Sequence, residues 1–405
     1  MVPRPQDDLT DFSSRRVLLI APEPFFEPRG TPINVAHMCK ALTTMGLRLD
    51  LATYPQGQDL SLPGLRILRA PRVPGISEVP IGFSWRKVVM DLSLALRVFE
   101  LLMRNKYDFV HAVEESVFLV LPFSFFGMKV VYDLDSFISD QLRYSGAMKA
   151  PWLLRLVRSL ERLALKRAVA AITVCQSLTE AALQLNPSAR VYQIEDCPLE
   201  ESLRTPDPDL VDKLREDWGL EERQVVVYTG NLEPYQGLQL LLEGAQQLNA
   251  SSIPLTIVVV GGSPADIENL KPVVRDLQLD DTVIFVGHRP PGELPEWMAL
   301  GDVLVSPRTE GENTPLKIYT YMRTGIPIVA TDIRSHTQVL DPSTAMLTEP
   351  TPDALALGIR QVLSDPEGAR QRAAEAKQVA QSRFSFESFK QKLVSAYQEI
   401  LELTE

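Results

Sequence analysis

The chain has 405 residues, 45 % apolar and 23 % charged, the balance of a soluble globular protein long enough for two domains of about 200 residues, each with its own core. A formal net charge of −11 excludes a nucleic-acid binder held by a basic surface. Three cysteines, Cys39, Cys175 and Cys197, form neither a disulfide framework nor a metal-binding spacing, which points to a reducing cytosol.

The charge is uneven. Residues 1–194 carry 23 Lys+Arg against 18 Asp+Glu, a balance of +5, and residues 195–405 carry 18 against 34, a balance of −16. A relatively basic first half suits an anionic acceptor or a membrane surface; the plain alternative is two ordinary domains of different charge. The opening stretch MVPRPQDDLTDFSSRR carries acids and no apolar segment, which is not the pattern of a signal peptide. The most apolar run, VFLVLPFSFFGM (117–128), is too short to span a bilayer and contains Pro122 and Gly127, so a buried helix is expected.

In chain order, RVLLIA (16–21) predicts a buried strand and PEPFFEPRG (22–30) a loop. Thr31 predicts an N-cap and Pro32 a first helical residue, with the helix closed by Gly46. RLDLATY (48–54) is the next strand, which makes a βαβ start in which Gly30 lets a ligand approach a helix N-terminus. The plain alternative for Gly30 is a turn residue, and without G-x-G-x-x-G the dinucleotide reading is weak. LRILRAP (65–71) predicts a short strand and 84–105 a long helix. DFVHAVEES (108–116) brings a strand to a loop with His111, Glu114 and Glu115. A strand histidine satisfied by the core is the alternative for His111.

KVVYDLDSF (129–137) predicts a strand ending in Asp133, Asp135 and Ser136. The D-x-D pattern suits a hard cation, but three residues recur by chance, and the aspartates are read as lining an acceptor cleft. PWLLRLVRSLERLALKRAVAA (151–171) predicts an amphipathic helix with a stripe of Trp152, Leu153, Leu156, Leu160, Leu163 and Ala164. Arg155, Arg158, Arg162, Lys166 and Arg167 make it basic. It either packs its leucines on its own sheet or lies on an anionic membrane. AAITVC (170–175) and RVYQIED (190–196) close the first domain, and 197–210 reads as the linker.

The second series opens with QVVVYTG (224–230), the loop NLEPYQG (231–237) and a helix, followed by strands LTIVVVGG (255–262), TVIFVGHRPP (282–291) and VLVSPR (303–308). Gly230, Gly261, Gly262, Gly287 and His288 fall at strand ends. A polar loop, 309–314, then delivers Glu310, Glu312, Asn313 and Thr314 to a helix from about Pro315 to Arg323, closed by Gly325, before the strand IPIVATDI (326–333). That is a helix N-terminus at the edge of a parallel sheet, where anions bind. Lys317 in the first turn opposes the helix dipole and is easier to understand beside an anion. DIRSHTQVL (332–340) starts a helix near the same site, and helices are expected at 352–364, 367–383 and 386–403.

The stretch GENTPLKIYTYMRTGIPIVAT (311–331) resembles the donor-binding motif of the GT-B glycosyltransferases of family 4. The resemblance implies two doubly wound Rossmann-like α/β domains facing a central cleft: residues 1–198 with a returning helix 386–405 on the acceptor side, and 199–385 for the donor. It implies a retaining, hexosyl-type transfer from a UDP-, GDP- or ADP-sugar to a glycan, lipid-linked or small-molecule acceptor, in cell envelope polysaccharide synthesis. It implies no nucleic-acid partner and no required metal, and a cytoplasmic protein, peripheral on the inner membrane face if helix 151–171 docks there. Glu312 takes the place of the family's first motif Glu, which reaches the sugar, and Thr320 that of the second, which holds the ribose. The family's Arg and Lys diphosphate clamp falls on Asn231 and Gln236, so both cations are lost here. Lys317, Arg308 and Arg289 are the cations left to compensate, with Gly261, Gly262 and His288 where the base docks. In the first domain the family sets a glycine loop at Gly30 and Thr31 and often H-x-H at a strand end; here that reads His111 and Val113, with Glu114 beside it. A scaffold of the same shape without activity is the competing reading, and an epimerase or phosphorylase on the same fold a third.

Overall fold

The structure, a computed structural model, describes residues 12, 14–27, 30–76, 84–144, 150–248 and 254–402. The opening stretch read for a signal peptide lies largely outside the described residues, as do Pro28 and Arg29 of the first loop. The chain divides into two units, residues 1–195 with 386–405, and residues 196–385.

Unit 1 runs β1 (Arg16–Ala21), α1 (Gly30–Thr44), β2 (Arg48–Thr53), β3 (Leu65–Arg69), α2 (Trp85–Arg104), β4 (Phe109–Val113), α3 (Ser116–Ser124), β5 (Val130–Leu134), α4 (Ile138–Tyr144), α5 (Pro151–Arg167), β6 (Ala170–Thr173), α6 (Gln176–Leu185) and β7 (Val191–Gln193). Its sheet has the order β3-β2-β1-β4-β5-β6-β7, and every pairing is parallel. Strands such as VLLI in β1 are apolar on both faces because helices cover both. One core cluster joins Leu18, Ile20 and Tyr132 of the sheet to Met90 and Leu94 of α2, Val117 of α3, Leu165 of α5 and Leu178 of α6, so these four helices share a face. The helix starting at Gly30 makes Thr31 a first-turn residue rather than the expected N-cap.

Unit 2 continues with α7 (Pro208–Asp217), β8 (Gln224–Thr229), α8 (Leu238–Leu248), β9 (Leu255–Val260), α9 (Pro264–Asp276), β10 (Val283–Gly287), α10 (Leu294–Ala299), β11 (Val303–Ser306), α11 (Leu316–Thr324), β12 (Ile328–Thr331), α12 (Arg334–Thr337), β13 (Met346–Thr348), α13 (Pro352–Ser364) and α14 (Pro366–Arg383). Its order is β10-β9-β8-β11-β12-β13, again with parallel strands. α8 and α13 pack on one face and α11 and α14 on the other. The division lies beside the expected linker 197–210, whose part 204–209 is pinned to unit 2. Arg204 forms a two-bond grip on Glu296 at 2.5 Å and reaches Gly292 O, and Glu296 also accepts from the Asp207 amide. Burial would raise the Glu296 carboxyl, but the Arg204 contact holds it below its ordinary range.

The last helix, α15 (Phe386–Glu402), belongs to unit 1, where it packs on α1. No helix among the described residues is long and apolar enough to cross a membrane.

Candidate functional site

The strand order of unit 2 reverses between β8 and β11, and the chain leaving those two strands builds the site. Gly230, after β8, has φ 132° and lies so close to Lys317 that a Cβ there would stand 2.9 Å from Nζ. Gly261, after β9, has φ 129°, and a Cβ on it would stand 2.0 Å from Gly230 O. Two residues without side chains thus bring two loops and one ammonium together. Gly262 and Gly287 follow at neighbouring strand ends, and His288 beyond them is exposed.

α11 starts at Leu316, with Pro315 as its extended N-cap rather than its first helical residue, and no side chain caps its amides. Lys317 is therefore its second residue. The stem is half-buried, while the ammonium is out of solvent and has no hydrogen-bond partner. Nζ sits 3.9 Å from the centre of the Tyr228 ring, which supplies a cation–π contact but no acceptor. Burial, and secondarily Arg308, drives the Lys317 pKa well down. Neither a solvent position nor a pairing with Glu310 describes this side chain.

Arg308 is spent on the loop. It donates to Glu310 O at 2.6 Å, Asn313 O at 2.9 Å and Asn313 Oδ1 at 3.2 Å, and its guanidinium stacks over Tyr235 at 5.2 Å. It shapes 309–313 rather than offering a bare charge. Arg289 lies over Trp297 at 5.4 Å and pairs with Glu293 at 3.9 Å. Of the three cations expected to replace the clamp, Lys317 alone lacks a protein acceptor. Glu310 and Glu312 are exposed on the loop, and Gln338 donates to Glu312 O at 2.9 Å. Thr314 Oγ1 and Gln236 Oε1 are buried without a partner. Asn231 Oδ1 lies 3.4 Å from the Glu233 amide, and Thr320 is buried within α11.

Three residues that hold this site are absent from the sequence reading. Tyr228 lies under Lys317 and donates to Asn231 O at 2.5 Å. Tyr321 OH accepts from the Thr229 amide at 2.8 Å, tying α11 to the end of β8. His336, fully buried, touches Ser306 Oγ at 2.9 Å through Nε2 and Thr331 O at 2.9 Å through Nδ1. Burial lowers its pKa to about 4, so it is a neutral brace between β11 and β12. The aromatic ends of QVVVYT and KIYTY were the available signal.

In unit 1, the expected donor- or acceptor-facing groups pair among themselves. His111 is fully buried, with Nε2 3.1 Å from Asp133 Oδ2 and Nδ1 2.6 Å from Tyr397 OH. It is a core histidine, not a group that can touch a sugar, and Asp133, itself wholly buried, does not line a cleft. Asp135 faces Asn34 Nδ2 at 3.4 Å. Asp133 and Asp135 thus turn to different partners, and no group of three or more acidic, His or Cys residues among those described could hold a metal. Glu114 has φ 47° and accepts from Ser136 at 3.0 Å. Burial, then the neighbouring Glu115, raises its pKa to about 7. Lys87 pairs with Glu115 at 2.5 Å, and Tyr54 donates to Asp91, whose pKa burial raises to about 7. Gly30 is exposed, with open space around it.

Residues 29–194 match the family model of the glycosyl transferase 4-like domain, and residues 211–379 that of the glycosyl transferases group 1. A GDP-mannose-dependent alpha-(1-6)-phosphatidylinositol monomannoside mannosyltransferase of Mycolicibacterium smegmatis is 31 % identical over 172 residues, 40 % of this chain and 45 % of that protein. An alpha-D-kanosaminyltransferase of Streptomyces kanamyceticus is 27 % identical over 193 residues, 46 % of this chain and 49 % of its own. The chain thus spans about half the length of these relatives. Among solved structures, a sucrose-phosphate synthase from Thermosynechococcus elongatus superimposes with a TM-score of 0.77 at 19 % identity, covering 96 % of this chain and 100 % of that one. HepE of Anabaena in complex with UDP-glucose gives 0.72 at 18 % identity, covering 95 % and 99 %. These likenesses show the fold, two parallel-sheet α/β domains of the GT-B type.

Proposed function

The chain belongs to the group 1 glycosyl transferases, and from that premise we propose that it moves a hexosyl group, with retention, from a nucleotide-sugar to a glycan, lipid-linked or small-molecule acceptor, in the building of cell envelope polysaccharide. The reading rests on Lys317. A buried ammonium without an acceptor costs several kcal/mol, and an anionic ligand beside Gly230 removes that cost. The diphosphate of a UDP-, GDP- or ADP-sugar is such an anion, and the uncapped amides at the start of α11 suit it equally. Lys317 would stabilise the leaving diphosphate as the glycosidic bond breaks. Arg308 would set the loop that carries Glu312 to the sugar. Asn231 and Gln236, lacking charge, would add neutral hydrogen bonds at most, and Thr320 one to the ribose. This assignment gives no role to a divalent metal.

Calorimetry with UDP, GDP and ADP, followed by transfer assays with their sugars, tests it. Lys317→Met should weaken nucleoside diphosphate binding at least tenfold, about 1.4 kcal/mol, and leave nucleoside binding unchanged. At a pH between the lowered pKa of the free protein and the higher one of the complex, binding to the parent should draw a proton from the buffer, because an anion raises a pKa that burial has lowered. Equal diphosphate affinities would remove Lys317 from the reaction. Tight binding without transfer or hydrolysis of any donor would favour the inactive scaffold.

A further inference from the structure

α2 carries two apolar stripes. Met90, Leu94, Val98 and Leu101 are buried in the core of unit 1. Trp85, Val88, Leu92, Leu96, Phe99 and Met103 are exposed, with Trp85 at 67 %, Leu96 at 69 % and Met103 at 66 %. At about 100° per helical residue each set fills an arc of roughly 80°, and the two arcs lie on opposite sides of the helix. A helix needs one stripe to join its core. The second is a continuous outward ridge along all 20 residues of α2.

The ridge does not stand alone. Phe99 lies 6.2 Å from Phe123 of α3, and just past α3 Phe126 is 90 % exposed. Arg167 of α5 stacks over Phe125 at 4.4 Å, so α2, α3 and α5 follow one another on the same side of the sheet. Of the two readings of α5, inward packing describes only part of its stripe: Leu163 and Ala164 meet the core, while Trp152, Leu156 and Leu160 are exposed, and Glu161, Ala164 and Leu165 are its buried residues. Arg155, Arg162 and Lys166 are exposed among them, with no ion-pair partner among the described residues. The one acid of α5, Glu161, is turned inward and accepts from the Ser139 amide and hydroxyl.

We propose that this face of unit 1, the outer sides of α2 and α5 with the aromatic end of α3, docks on an anionic lipid bilayer. The charge decides the occupant. A second copy set face to face would bring the cations of two α5 helices together, whereas an anionic bilayer takes both the apolar ridge and the cations. Trp85 and Trp152, at the first and second residues of their helices, are the residue type that settles at the level of lipid headgroups. The helices would lie on the surface, since none can cross a bilayer. The proposal goes beyond the sugar-transfer reading and stands or falls without it.

Co-flotation of the full chain with vesicles tests it, using phosphatidylcholine alone or mixed with phosphatidylglycerol. Binding should be at least tenfold stronger to the mixed vesicles at low salt and weaken as salt rises. Leu92→Glu with Leu96→Glu should reduce binding at least tenfold at every salt concentration, with the melting temperature unchanged because both side chains are exposed. Arg155→Glu with Arg162→Glu should remove the salt-sensitive part. Failure of the parent to float with mixed vesicles overturns the proposal, as does equal binding by the leucine variant. A lipid-free dimer that Leu92→Glu with Leu96→Glu splits would assign the ridge to a second copy and overturn it too.

Discussion

At the end of β4, Lys87 meets Glu115, Glu114 accepts from Ser136, and His111 is held between Asp133 and Tyr397. At the end of β8, Lys317 meets a ring face and no acceptor. Both places are the carboxyl ends of parallel strands at the point where the sheet order reverses. The first is a set of groups paired with one another, in which crowded carboxylates share Lys87 and Asp133 Oδ1 has no hydrogen-bond partner, and those pairings fix the side chains that compose it. The second leaves one charge uncompensated by protein, and that imbalance, more than any motif, marks where a ligand belongs.

Breaking the backbone approach at the second place should have the largest effect. Gly261→Ala puts a Cβ 2.0 Å from Gly230 O at φ 129°, and should cost about 3 kcal/mol or more in chemical denaturation. A loss below about 0.5 kcal/mol, the range of an ordinary surface change, would mean the two loops have room to part. Breaking the paired set should cost less. Tyr397→Phe leaves His111 Nδ1 buried without its partner, a loss of about 1–3 kcal/mol, while nucleoside diphosphate affinity stays as it was. If affinity fell instead and stability held, the network of unit 1 would reach the ligand and the contrast would fail.

The smallest effect has the opposite sign. Lys317→Met removes an uncompensated buried charge but also its cation–π contact with Tyr228, so the ligand-free protein should gain a net of about 1 kcal/mol. The sign with pH is fixed. Unfolded, this lysine keeps its proton up to about its ordinary 10.5; folded, burial lowers that value. The unfolded state therefore binds more protons, and the parent's stability should gain on the Met variant's as pH rises toward 10.5. Parallel stability–pH curves would show that the ammonium is not desolvated.

Much of the fold was legible because buried parallel strands are short apolar runs: RVLLIA and QVVVYTG end within one residue of where they were placed. Short elements such as α4, α6 and β13 carried too little periodicity to be read. The division at 195–196 falls beside the expected linker, but the anchoring of 204–209 could not be read, because a polar, proline-containing stretch looks free until Arg204 finds Glu296, 92 residues away. Lys317 stands out in the sequence for its place in the first turn of a helix. Its burial could not be read, because a lysine in a first turn has the same letters around it whether its stem lies in water or over Tyr228. The ridge on α2 was illegible for a different reason. With apolar residues on two sides of a helix, periodicity does not say which side the core takes.

The bond between Tyr397 and His111 joins residues 286 positions apart. Phe386 and Phe389 likewise reach back to His37, at 5.6 and 6.0 Å, and Lys40 lies over Phe386 at 4.6 Å. During synthesis, all seven strands of unit 1 leave the ribosome first and must wait while the whole of unit 2 is made. Through that interval the surface of α1 that α15 covers stays wet, and His111 lacks one of its two partners. Unit 2, whose strands and helices are continuous in sequence, can finish folding before unit 1 does, against the usual order in which the N-terminal domain folds first. A released chain cut short at residue 385 would thus hold a complete second unit and an unfinished first one, the species that a chaperone or a protease would meet.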